Sequence, residues 1–270
     1  PIVDKPTLQY IVEEAVEAGI KDILVITGRN KKILEDFFDY TPELDDLLEK
    51  DGKEDFLQIS RKMETMANLY FVRQKHPCGF ADAILYAKPF TGNDPFAILL
   101  GDDIIYTPEG TRPGIGQLVD CYESTGKPTV AVMEVEDKDI PKYANVCAKP
   151  LGERRSLISK IVEKPPVHQK FSNDAVIGRY IVESDIYDII RRTPPSPKGE
   201  VYFTDALQAL ANEGRLVGCK FAGKRYDAGN KLEYLQANVE YALRDGSLGA
   251  PFREYLLRLA ASLRESKTTK

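Results

Sequence analysis

No stretch of this 270-residue chain approaches the roughly 18 consecutive apolar residues of a membrane-spanning helix, and its start lacks the basic-then-apolar order of a signal peptide. A cytoplasmic protein with no membrane partner is the expectation. A basic excess is also missing: the net charge is -5 and the isoelectric point about 5.3, so there is no broad footprint for nucleic acid. Any phosphate must be held locally. The two histidines, His76 and His168, lie in loop-like surroundings and offer little for a Ser-His-Asp triad or a histidine metal site. Cys78, Cys121, Cys147 and Cys219 form no C-x-x-C pair, which disfavours zinc and disulfides and fits small buried thiols. The chain opens Pro1-Ile2-Val3-Asp4-Lys5-Pro6 without a methionine and enters a helix almost at once, so an upstream segment is expected. Internal repeats and low-complexity segments are absent.

With 43% hydrophobic residues, 29% charged residues and 17 scattered prolines, the sequence has the composition of a folded globular chain. The run Phe96-Ala97-Ile98-Leu99-Leu100 reads as a strand buried on both faces in the middle of a parallel sheet. It ends in Gly101-Asp102-Asp103. Ligands of open α/β sheets bind beyond the carboxyl ends of strands, and adjacent carboxylates there suit a hard cation such as Mg²⁺, or else cap a simple turn. Early alternation of helix and strand predicts a doubly wound parallel sheet, and the later meander predicts an antiparallel excursion on it. Residues 42–66 read as one charged helical insertion.

Five further stretches could carry chemistry. Gln74 to Gly79 joins a strand end to a helix start, where free amides favour a phosphate or a polar base edge, and a glutamine offers both donor and acceptor. Glu163-Lys164-Pro165-Pro166 fixes an acid and a base at a strand end, suited to sugar hydroxyls and a phosphate, or else a solvated pair. Gly178 interrupts a strand, which is costly unless a ligand or another backbone comes close. Thr204 is placed as a helix cap, and Asp227 ends the last strand as a candidate to share a metal with Asp102.

The order of these blocks, Gly-Asp-Asp, Glu-Lys-Pro, Gly-Arg-Tyr, Gly-Glu-x-x-x-Thr-Asp-Ala and Gly-Lys-Arg-Tyr-Asp-x-Gly, resembles the bacterial UTP:glucose-1-phosphate uridylyltransferases from Pro1 to about Gly249. The resemblance implies an α/β fold of the sugar nucleotidyltransferase type, a Rossmann-like mixed, mostly parallel sheet flanked by helices. Residues 1–249 would be the nucleotidyltransferase domain and 250–270 a C-terminal helix and tail. It implies Mg²⁺ as cofactor, UTP and glucose 1-phosphate as substrates, UDP-glucose and pyrophosphate as products, and a homo-oligomer, dimer or tetramer.

Carried over by position, Asp102 ligates the metal, with Asp227 as a second ligand. Gln74 reads the uracil edge and Gly79 lies against the nucleoside. Glu163 holds sugar hydroxyls, Lys164 the sugar phosphate, and Gly178 allows close approach of the sugar. Asp103 and Ala144 complete the implied substrate contacts.

Gly79-Phe80-Ala81-Asp82-Ala83 stands where the family reads Gly-Leu-Gly-His-Ala, and it also resembles the thymidylyltransferase branch. Tyr143-Ala144 stands for Tyr-Gly. The family's first strand and its glycine-rich phosphate loop would precede Pro1, so the chain alone predicts an opened sheet. The rival readings are a glucose-1-phosphate thymidylyltransferase and a non-catalytic sugar-nucleotide sensor.

Overall fold

The computed structural model describes residues 1–197 and 199–268. Helix α1 (Thr7–Glu17) buries Gln9, Ile11, Val12, Glu14 and Ala15, the spacing of one helical stripe. Strand β1 (Asp22–Thr27) is followed by α2 (Lys32–Phe38), α3 (Pro42–Lys50) and α4 (Glu54–Thr65), and then by β2 (Asn68–Arg73), which pairs with β1 in parallel. The single helical insertion read from the sequence is thus broken, at Asp51-Gly52, where Gly52 takes a φ of 66° that side chains disfavour. Next come α5 (Phe80–Leu85), α6 (Lys88–Thr91), β3 (Phe96–Leu99), β4 (Asp103–Tyr106), α7 (Gly114–Thr125) and β5 (Thr129–Glu134). The chain continues through β6 (Ala144–Pro150), β7 (Arg155–Glu163), β8 (Asp174–Val182), α8 (Ile186–Arg192) and α9 (Phe203–Asn212). It closes with β9 (Val217–Lys220), β10 (Lys224–Asp227), α10 (Lys231–Arg244) and α11 (Gly249–Thr268).

Six strands form the main sheet in the order β3-β8-β5-β9-β7-β6, and β6 also pairs with β8. The α/β class and the mixed sheet are as expected, but antiparallel ladders outnumber parallel ones. Among the described residues only β1–β2 and β5–β9 run parallel. The short link from β6 to β7 returns the chain alongside itself, and such links make antiparallel neighbours.

The expected central strand is also displaced. Among the described residues β3 pairs only with β8, antiparallel, and stands at the sheet's edge, half-buried. The β1–β2 ladder is separate from this sheet. The true hub is β8, buried along eight of its nine residues and paired with β3, β5 and β6.

Helices cover both faces. Ile84 of α5, Ile186 and Ile190 of α8, and Leu207 and Leu210 of α9 pack with Val130, Val132 and Val176 of the sheet, while Ile115, Leu118 and Cys121 of α7 pack with Ile177 and Ile181. A third cluster, Ile2, Ile104, Tyr226 and Ala237, ties the start of the chain to β4, β10 and α10. Cys121 and Cys219 are buried as expected, but Cys78 and Cys147 are exposed. Among the described residues no helix is long and apolar enough to cross a membrane.

Candidate functional site

The carboxylates of Gly101-Asp102-Asp103 are delivered by the turn between β3 and β4, and β4 pairs antiparallel with β10 so that Asp103 lies opposite Asp227. Adjacent residues at a strand start face opposite ways, and the two aspartates separate accordingly. Asp102 is exposed and makes no ion pair among the described residues. Partial desolvation, and then the charges of Asp103 and Asp227, push its carboxyl above the usual range.

Asp102 Oδ2 and Asp227 Oδ1 lie 3.6 and 3.1 Å from the point where a β-carbon on Gly229 would sit. Two carboxylates thus crowd a corner that glycine keeps open. Hard carboxylate oxygens at one corner fit a divalent cation that completes its shell with water and phosphate. Asp227 Oδ1 is itself oriented by the N–H groups of Gly229, at 2.8 Å, and Asn230, at 3.2 Å.

Asp103, expected among the substrate contacts, is instead structural. It is 2% exposed, Oδ2 accepts from Gly178 N at 2.8 Å, and Oδ1 accepts from Arg225 Nε at 2.7 Å. Both oxygens are spent on the protein. The same contact accounts for the glycine at 178, where a β-carbon would collide with Asp103 Oδ2 and come within 2.7 Å of Leu100 Cβ. The space left by its missing side chain admits the Asp103 turn. The Ala144 methyl packs in the core beside Val146 and Val176.

A buried ion pair carries this turn. Glu14 of α1 and Arg179 of β8 pair at 2.7 Å with exposures of 6% and 0%. Arg179 also donates to the carbonyls of Asp103, Leu100 and Gly178 at 2.7, 3.4 and 3.1 Å. An arginine so enclosed is tolerable because every donor is engaged, and its fork holds both ends of the Leu100–Asp103 turn.

Glu163 and Lys164 end β7 with Glu163 Oε1 3.5 Å from Lys164 Nζ. Lys164 takes a φ of 45°, in the left-handed region that costs a non-glycine residue of order 1–3 kcal/mol. Its N–H donates to the Tyr143 carbonyl at 3.1 Å, and Arg225 Nη1 donates to the Tyr143 hydroxyl at 2.8 Å. The lysine is therefore linked to the aspartates through Tyr143 and Arg225.

Gln74 and Gly79 form a second group. Gln74 Nε2 donates to Asp82 Oδ2 at 2.6 Å and to the Gly79 carbonyl at 3.3 Å. The amide nitrogen must face Asp82, because a carboxylate cannot donate, so Gln74 Oε1 is the atom left to accept. Gly79, at a φ of 101°, lies where a β-carbon would meet the Glu200 carboxylate. Tyr180 sits between the two groups: its ring is 6.1 Å from that of Phe80, and burial, Asp103 and Glu163 all raise its hydroxyl's pKa. Thr204, expected as a cap, lies inside α9 with its hydroxyl buried and unpartnered among the described residues.

The sequence reading missed Arg225, Tyr143 and Asp82. A signal existed for the first, since strand period places Arg225 and Asp227 on one face of β10. Two cavities, of about 140 Å³ against α1 and about 230 Å³ beside Phe38 and Tyr40, contain none of these residues.

A nucleotidyl transferase family profile matches residues 1–244. The UTP–glucose-1-phosphate uridylyltransferase of Bacillus subtilis (strain 168) is 41% identical over 260 residues, 95% of this chain and 88% of that protein. A solved UDP-glucose pyrophosphorylase in complex with UDP-glucose superposes with a TM-score of 0.82 at 37% identity, covering 91% of this chain and 89% of that one. The UTP-bound enzyme of Acinetobacter baumannii superposes at 0.86 with 33% identity, covering 96% and 90%.

Proposed function

Because the chain belongs to the nucleotidyl transferase family, among its UTP–glucose-1-phosphate uridylyltransferases, we propose how its own residues make UDP-glucose and pyrophosphate from UTP and glucose 1-phosphate. Lys164 holds the sugar phosphate as a compact point charge, and Glu163 accepts from sugar hydroxyls. An oxygen of that phosphate attacks the α-phosphorus of UTP in line. The new P–O bond forms as the bond to the β-phosphate breaks, and pyrophosphate leaves with the electron pair. No covalent enzyme intermediate is needed, so catalysis rests on positioning and on neutralising charge.

Asp102 and Asp227 would hold Mg²⁺, which when bound neutralises phosphate oxygens around the reacting centre. Gln74, its amide nitrogen tied to Asp82, presents Oε1 to the N3–H of the base. Uracil and thymine carry that proton, whereas cytosine presents a lone pair there. Two acceptors facing each other would cost cytosine at least about 2.7 kcal/mol, on the order of 100-fold.

The observation that carries this reading is the meeting of Asp102 and Asp227, from strands far apart in sequence, at one acceptor-rich corner. The test is pyrophosphate release by the full-length protein with glucose 1-phosphate and UTP, dTTP or CTP, with Mg²⁺ and with chelator. Turnover is expected with UTP, at least about 100-fold less with CTP, and none in chelator. Preference for dTTP would move the chain to the thymidylyltransferase reading. Full turnover in chelator would remove the metal from Asp102 and Asp227.

A further inference from the structure

Arg225 contacts no substrate in the reading above, yet it is the cation at which the parts of the site meet. Its side chain is 7% exposed. Nε donates to Asp103 Oδ1 at 2.7 Å and Nη2 pairs with the same oxygen. Nη2 also lies 3.3 Å from Asp227 Oδ2. Nη1 donates to the Tyr143 hydroxyl at 2.8 Å and lies 3.5 Å from Glu233 Oε2. The guanidinium carbon stands 5.2 Å from the centre of the Tyr143 ring.

Each partner governs a different functional group. Asp103 anchors the turn that carries Asp102. Asp227 is itself one of the two carboxylates of the open corner, and Glu233 Oε2 accepts the N–H of Asp227 at 2.9 Å. Tyr143 accepts the N–H of Lys164 on its carbonyl, at the residue whose backbone is held left-handed. A strained residue persists only where its surroundings over-determine it, and Tyr143 is one of those surroundings.

We propose that Arg225 is a positioning residue for the transfer reaction, its planar fork holding the Asp102–Asp227 corner and the Lys164 strand end in fixed register. The proposal rests on the roles assigned above to Lys164 and the two aspartates. Lysine cannot substitute, because an ammonium is a point charge on a flexible stem and cannot reach all four partners as a guanidinium fork does.

The test compares Tyr143→Phe, Arg225→Lys and Lys164→Ala in the full-length protein, by steady-state kinetics and thermal melting. Tyr143→Phe cuts one arm of the fork and leaves the buried charge paired. It should raise KM for glucose 1-phosphate about 3- to 10-fold, while KM for UTP and the Mg²⁺ activation constant stay within about twofold. Its Tm should stay within about 2 °C of the parent. Arg225→Lys should raise both the sugar-phosphate KM and the Mg²⁺ activation constant, each by roughly 10-fold.

If Tyr143→Phe leaves the sugar-phosphate KM unchanged while Lys164→Ala raises it about 10-fold or more, the site stands and the positioning role is overturned. If Lys164→Ala also leaves that KM unchanged, the site assignment fails and the proposal falls with it. Should Arg225→Lys not fold, Tyr143→Phe alone decides.

Discussion

Asp102 and Asp103 are neighbours in sequence with opposite duties, and replacing each by asparagine should separate stability from turnover. Asparagine nearly preserves shape, so the change at Asp103 is one buried charge and one acceptor. Asp103 uses one oxygen for Gly178 N–H and the other for Arg225, and an amide can accept at only one of those places. Breaking a buried ion pair costs about 3–5 kcal/mol. Arg225 keeps Asp227 and Glu233 within 3.5 Å, which puts the change at the lower end, about 3 kcal/mol.

For a chain of this size that lowers Tm by roughly 6–12 °C. Asp102→Asn should leave the Tm of the metal-free protein level or higher, because the folded protein disfavours the Asp102 charge. Differential scanning calorimetry in chelator measures both. An Asp103→Asn protein melting within about 2 °C of the parent, or an Asp102→Asn protein falling as far as Asp103→Asn, would refute the division of labour.

The same Asp102→Asn protein should lose turnover by at least about 100-fold, and Mg²⁺ should no longer raise its Tm, whereas saturating Mg²⁺ at about 100 times its Kd should stabilise the parent by about 2.7 kcal/mol. Because the Asp102 pKa is raised in the fold, its unfavourable contribution to stability fades as pH falls through that pKa, while its hold on a cation is lost; Mg²⁺-dependent melting followed against pH should show this in the parent and not in Asp102→Asn. Lys164→Ala should weaken glucose 1-phosphate and leave UTP affinity near normal, and calorimetry showing the reverse would return Glu163 and Lys164 to a solvated pair.

The helical stripe of α1 and the strand ends bearing Asp102, Glu163 and Asp227 were legible because period and punctuation are local properties. The order of the blocks carried the family. The position of β3 was not legible: an apolar run reports burial and says nothing of how many strands lie alongside. A doublet of aspartates likewise does not reveal which one turns inward, since that depends on Arg225, 122 residues further on. Gly178 was legible as a place of close approach, but that the Asp103 side chain comes close there was not. The strain at Lys164 had no signature in composition, because left-handed backbone at a lysine is imposed by tertiary contacts.

The contacts that build the site span most of the chain: Asp103 with Arg225 across 122 residues, Glu14 with Arg179 across 165, and Val3 N with Asn238 Oδ1 across 235. Closing such loops costs entropy before any of these contacts is made, so a nucleus of local helices cannot assemble the corner. A chain emerging from the ribosome displays Asp102 and Asp103 well before Arg225 exists. Until β10 arrives, the Asp103 charge lacks its guanidinium, and Arg179 and the Gly178 N–H must hold the turn without it. The cation corner is therefore among the last features to appear in folding, and refolding followed by Mg²⁺ binding should lag behind refolding followed by helix content.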